Sequence, residues 1–161
     1  MFLILRSLII YPTNKVFAYI TRTDQLLVFR HVDFPAVGIQ VPGGMMEAGE
    51  TPENAVMREA GEETGLQGLV LEKYLGSDEY HVSSTHPEEI HLRYFFHLRC
   101  PQDVPENWQH HERHPSDGSP GPILFDFCWV PLTDAARILN PYYTAKLDQL
   151  PGVADGQASG K

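Results

Sequence analysis

The sequence predicts an α/β sandwich around a mixed β-sheet, and three observations carry that prediction. Runs rich in β-branched and aromatic residues bracket one central helical stretch. A second, short helical stretch follows the last of those runs. The 161 residues suffice for one domain with its own core. That domain is expected over residues 15–150, with 1–14 an N-terminal extension or edge strand and 151–161 a flexible tail.

The opening, MFLILRSLIIY (1–11), is apolar but short and interrupted by Arg6. A membrane span needs about 20 apolar residues, and neither a basic leader nor a small-residue cleavage site is visible. KVFAYIT (15–21) and QLLVFRH (25–31) read as a hairpin, and VGIQV (37–41) as a third strand stopped by Pro42-Gly43-Gly44. A helix follows at about 51–64, with Thr51 as its cap, Pro52 suited to the first turn and Gly65 to the exit. Its capping box is incomplete, because Asn54 stands where Glu or Gln would close it.

Strands are expected at 69–75 and at HLRYFFHLRC (91–100). In the second, Leu92, Tyr94, Phe96 and Leu98 alternate with His91, Arg93, Phe95, His97 and Arg99. One face is core; the basic one is a solvated surface or a wall that meets phosphate through Arg93. CPQDVPENWQHHERHPSDGSPGP (100–122) reads as a long polar loop, of the kind that is functional or disordered, with Trp108 able to stack on a base. ILFDFCWVPL (123–132) is a closing strand, and TDAARILNP (133–141) starts a short helix capped by Thr133 or Asp134.

Composition is that of a soluble globular protein, with 42% hydrophobic and 20% charged residues. A net charge of −9 argues against a nucleic-acid polymer as partner but allows a small anionic substrate if a metal ion supplies positive charge. Cys100 and Cys128 lack CxxC spacing and read as two reduced, largely buried thiols in a cytoplasmic protein, monomeric or homodimeric.

The stretch GGMMEAGETPENAVMREAGEETGL (43–66) carries the chemistry. Glu59, Glu62 and Glu63 share one side of the helix at i, i+3 and i+4, near the negative end of its dipole. Glu63 also projects close to Val56 and Ala60, which should face the core. At an effective dielectric near 20, two carboxylates ~5.5 Å apart repel by about 3 kcal/mol. A solvated face would alternate sign, yet only Arg58 offers a counter-charge. A hard divalent cation, Mg²⁺ or Mn²⁺, is the economical neutraliser.

The same residues resemble the Nudix box, Gly-x5-Glu-x7-Arg-Glu-U-x-Glu-Glu-x-Gly-U, with U a bulky apolar residue. Gly44, Glu50, Arg58, Glu59, Ala60, Glu62, Glu63, Gly65 and Leu66 fill its nine constrained positions, Ala60 being small for its slot. The resemblance implies the Nudix-type α/β/α sandwich and a metal-dependent pyrophosphohydrolase. Such an enzyme cleaves the diphosphate linkage of a nucleoside diphosphate joined to another group, as in a nucleoside triphosphate or nucleotide sugar. By similarity, Glu59 and Glu63 are the main metal ligands, Glu62 a further ligand or water-held partner, and the Gly44 carbonyl points at the metal. Arg58 holds a glutamate by a bidentate contact, and Glu50 lies beside the metal or behind its ligands. The general base is open: Glu112 is the distal candidate, ahead of Glu88 and Glu89, while His110, His111 and His114 are loop histidines without metal spacing. No subfamily signature outside the box settles the substrate. A nucleotide-binding sensor of the same fold, without turnover, is the competing reading, and an isoprenoid-diphosphate isomerase is a third.

Overall fold

The computed structural model describes residues 11–85, 88–101 and 103–153. Its strands are β1 (Thr13–Arg22), β2 (Gln25–His31), β3 (Gly43–Met45), β4 (Val70–His81), β5 (Ile90–Arg99), β6 (Asn107–Glu112) and β7 (Ile123–Pro131). The helices are α1 (Pro52–Thr64) and α2 (Leu132–Ile138). The sheet runs β4-β5-β1-β2-β7-β6, with β3 attached to β1. It is mixed because β1 and β5 pair in parallel while the other pairs are antiparallel.

Side chains alternate across a strand, so β1 feeds two cores. Val16, Ala18 and Ile20 face the layer built by Ala55, Val56 and Ala60 of α1. Phe17 and Tyr19 face the opposite layer, with Leu132 and Ala135 of α2 and Leu139, Leu147 and Leu150 beyond it. Strand β1 is therefore apolar on both faces, which explains the unbroken run in KVFAYIT. Among the described residues no helix is long and apolar enough to cross a membrane.

Several boundaries differ from the sequence reading. Strand β1 starts at Thr13, so the domain takes in two residues assigned to the extension; residues 1–10 and 154–161 lie outside the described part. The strand expected at 37–41 is not one. Pro35–Val37 form a 3₁₀ turn, and Ile39 and Gln40 make only isolated bridges, to Leu139 and Phe29. The true third strand is the glycine pair itself, Gly43–Met45, laid antiparallel on β1. The expected loop 100–122 contains β6, whose polar residues conceal a strand period: Trp108, His110 and Glu112 turn inward while Asn107, Gln109 and His111 are exposed. Strand β4 runs six residues past the expected end. Helix α2 starts at Leu132 behind Pro131, with no side-chain cap from Thr133 or Asp134. Cys100 is buried as expected, whereas Cys128 is exposed on β7.

Candidate active site

The site is assembled where α1 ends against β3 and β6. Thr51 caps α1 by accepting a hydrogen bond from the Asn54 amide at 3.2 Å, and Gly65 closes it in the left-handed region with φ 73°. The buried stripe of α1 includes Ala55, Val56 and Ala60, but also Glu59 and Glu63. Glu59 is 0% and Glu63 6% exposed, which excludes a solvated acidic face. The Gly43 amide donates to Glu63 Oε2 at 3.0 Å. A Cβ on Gly44 would fall onto the Glu59 carboxylate, so this close approach of backbone to side chain requires glycine.

Arg58 ties the parts together. Its Nε and Nη2 donate to the two oxygens of Glu50 at 2.8 and 2.9 Å, a bidentate pair. Nη1 donates to Glu59 Oε1 at 2.8 Å, and Nη2 also reaches the Met45 carbonyl at 3.1 Å. One guanidinium thus binds the loop before α1, the helix itself and β3. Glu50 is held below the usual carboxylate range, chiefly by this hydrogen bonding to Arg58.

The inward turn of β6 delivers a third carboxylate. Oxygens of Glu59, Glu63 and Glu112 lie within 4.8 Å of one another, and all three residues are buried. Burial, then the Glu112 charge, pushes the Glu63 carboxyl well above its ordinary value. Burial, then Glu59, pushes Glu112 up to about 7. Burial raises Glu59 as well, despite Arg58. Glu59 Oε2 is buried without any hydrogen-bond partner. Three converging oxygen donors and one orphaned carboxylate oxygen fit a hard divalent cation, which would satisfy that oxygen and neutralise the cluster.

This arrangement sets a pH dependence. A carboxyl raised in the folded state stabilises the protein fully below its unfolded value and stops doing so as pH rises through the folded value. For Glu112 that window runs from 4.5 to about 7. A cation that binds the ionised cluster cancels this loss. The gain in melting temperature on adding Mg²⁺ should therefore grow steadily between about pH 5 and pH 8. Thermal scans with and without Mg²⁺ across that range check it, and a gain that does not change with pH would contradict it.

Glu63 and Glu112 also line a cavity of about 130 Å³ whose wall includes Gly43, Gly44, Lys15, His31, Phe125 and Tyr143. It opens because β1 and β2 pair only at Thr21–Leu26 and Arg22–Gln25 and then diverge. The segment around Gln40 and Pro42 wedges into the gap, bonding to Phe29 on one side and to the Ala18 amide on the other. Residues from both faces of the sheet consequently meet in one hollow beside the carboxylates.

The structure brings Gly44, Glu59, Glu63 and Glu112 together but leaves three expected site residues elsewhere. The Glu62 side chain is 46% exposed and faces Arg58 Nη1 at 3.4 Å, outside the cluster. Arg93, 4% exposed, is fully engaged: it pairs with Asp78, donates to the Tyr142 carbonyl and lies over the rings of Tyr80 and Tyr142. The basic face of β5 is thus neither solvated there nor open to phosphate, because the segment around Tyr142 covers it. Trp108 stacks on Phe127 at 5.2 Å and 13° and donates to the Thr64 carbonyl at 3.0 Å, anchoring β6 to the end of α1. His110 sits against Gly65 and within 3.1 Å of the Glu62 carbonyl, in the same seam. Lys15 and His31 were not singled out by the sequence; Lys15 opens and His31 closes a predicted strand of ordinary pattern, and only the split between β1 and β2 brings them into one cavity.

A profile described as the NUDIX domain matches residues 12–150. The chain belongs to the Nudix family. The RNA pyrophosphohydrolase of Gluconobacter oxydans is 40% identical over 57 residues, 35% of this chain and 34% of that protein. The ADP-ribose pyrophosphatase of Methanocaldococcus jannaschii is 40% identical over 60 residues, 37% of this chain and 36% of that one. These matches span only about a third of either relative. The E. coli dihydroneopterin triphosphate pyrophosphohydrolase structure aligns over 88% of this chain and 95% of its own, with a TM-score of 0.61 at 18% identity. That likeness is one of fold, and it extends the Nudix architecture well beyond the box.

Proposed function

We propose that this Nudix protein is a divalent-metal-dependent pyrophosphohydrolase acting on a nucleoside diphosphate linked to another group. The observation that carries the reading is the buried triad Glu59, Glu63 and Glu112, with its orphaned oxygen, beside a cavity. Glu59, Glu63 and the Gly44 carbonyl would hold Mg²⁺ or Mn²⁺. A bound ion supplies charge neutralisation on diphosphate oxygens and lowers the pKa of water. Arg58 fixes Glu59 through Oε1, leaving Oε2 free to bind. Glu112, the third buried carboxylate of the cluster, is placed to take a proton from the attacking water on a carboxylate oxygen. The water oxygen bonds to one phosphorus, the bridging P–O bond breaks, and two phosphate products and a proton result. The names of the two curated relatives, one acting on RNA and one on ADP-ribose, support a nucleotide anhydride as the substrate class.

A nucleotide sensor without turnover would have no use for a third buried carboxylate beside the two that would hold the metal. Phosphate release from a panel of nucleoside triphosphates, nucleotide sugars and dinucleotides, coupled to added pyrophosphatase and phosphatase, separates the two. Mg²⁺-dependent turnover of at least one compound supports the hydrolase, and binding without turnover would leave the sensor.

A further inference from the structure

Two polar side chains, Lys15 and His31, line the cavity beside the triad. Lys15 lines this cavity from β1, half-buried, and among the described residues its ammonium makes no hydrogen bond or ion pair. Asp117 and Glu89 act on it only through their fields, and burial lowers its pKa. His31, at the end of β2, has a buried Nδ1 without a partner. Its ring meets Phe125 edge-on at 4.8 Å and lies 5.9 Å from Phe29, with the buried Gln40 lining the same wall. A buried polar atom left unpaired is costly unless a ligand completes it. An unpaired ammonium beside an acidic centre fits an anion brought there with its own counter-ions.

The shape limits what enters. Pockets that enclose a whole drug-sized ligand run to roughly 300–1,000 Å³. A cavity of about 130 Å³ takes only one part of such a molecule. Aromatic walls with a hydrogen-bonding edge suit a planar heterocycle, whereas a flexible apolar chain would leave His31 Nδ1 unsatisfied.

We propose that Lys15 and His31 are the specificity-determining pair of this site: Lys15 holds a phosphate oxygen of the substrate, and His31 Nδ1 hydrogen-bonds the edge of a nucleobase lodged between the aromatic walls. This rests on the hydrolase reading for its activity assay but not for its binding assay. The variants are His31→Leu, His31→Asn, which returns a polar atom near the Nδ1 position, and Lys15→Met. Each is assayed with Mg²⁺ on the best nucleotide substrate and on base-free inorganic tripolyphosphate, with melting temperature as the control for folding.

His31→Leu should raise KM for the nucleotide about tenfold with kcat little changed, leave the base-free compound unaffected, and be partly rescued in His31→Asn. Lys15→Met should raise KM for both compounds about tenfold or more. If His31→Leu left both compounds unchanged, or weakened both equally, His31 would not read a base and the proposal would fall. If the wild type cleaved no compound at all, the hydrolase reading would fail on its own. Calorimetry with a non-hydrolysable nucleoside triphosphate and Mg²⁺ would then decide this proposal. Weaker binding by both His31→Leu and Lys15→Met upholds it, and affinities equal to wild type overturn it.

Discussion

Glu59→Gln and Glu63→Gln should each lower kcat by about 10²–10⁴ at saturating Mg²⁺ while leaving the fold intact. Glutamine keeps the volume of glutamate and removes the charge that would hold the metal, so the loss must come through the ion. At Glu63 the substitution keeps an oxygen able to accept from the Gly43 amide. It also removes repulsion from Glu112, Glu59 and Glu62, the charges that raise the Glu63 carboxyl after burial itself. The metal-free Glu63→Gln protein should therefore melt no lower than wild type, and slightly higher is consistent with relief of that repulsion, whereas Glu59→Gln removes the charged partner of Arg58 and should melt lower. Glu112→Gln should cost less, about 10²-fold, the lower end of what a positioned base contributes. Turnover and metal-free melting temperature, measured on all three, provide the check. A Glu63→Gln protein with near-normal kcat would remove Glu63 from the metal site, and a Glu112→Gln loss larger than the others would make proton transfer the dominant contribution.

The sequence revealed the half of this site that lies on α1 and almost none of the half that lies on the strands, for physical reasons. Like charges at i and i+4 on a helix stripe that must face the core demand compensation, and that demand can be read from one segment. Glu112 is different. It joins the cluster only because β6 pairs with β7 and turns every second residue inward, and β6 is built from polar residues that carry no hydrophobic period. Arg93 misled for the converse reason: its strand pattern placed it on a face, but the covering segment around Tyr142 comes from 49 residues farther along the chain. Long-range cover is invisible to periodicity. The glycine pair was read as a strand stop, yet its lack of side chains is what lets it act as a strand, packed against β1 and the Glu59 carboxylate at once.

Arg58→Ala should be the most destabilising single change in the box, by about 3 kcal/mol, the scale of breaking a buried ion pair by removing one partner. The guanidinium is the only cation among the described residues in contact with the buried Glu59, and it also holds both oxygens of Glu50 and the Met45 carbonyl. Its loss leaves Glu59 without a counter-charge and releases the loop that carries Glu50 from the end of β3. For a domain of this size that corresponds to a fall in melting temperature of roughly 6–12 °C. Arg58→Lys should recover only part of it, because an ammonium cannot reproduce the bidentate grip on Glu50 while also bonding Glu59. Mg²⁺ should narrow the deficit by supplying Glu59 with another positive charge, which separates loss of charge from loss of packing. Thermal melts of wild type, Arg58→Ala and Arg58→Lys, with and without Mg²⁺, measure all of this. If Arg58→Lys melted with wild type, a point charge would suffice and the planar fork would have no structural role. If Arg58→Ala did so as well, Glu59 would have to be protonated in the native state, and the ion pair drawn by the geometry would contribute nothing to stability.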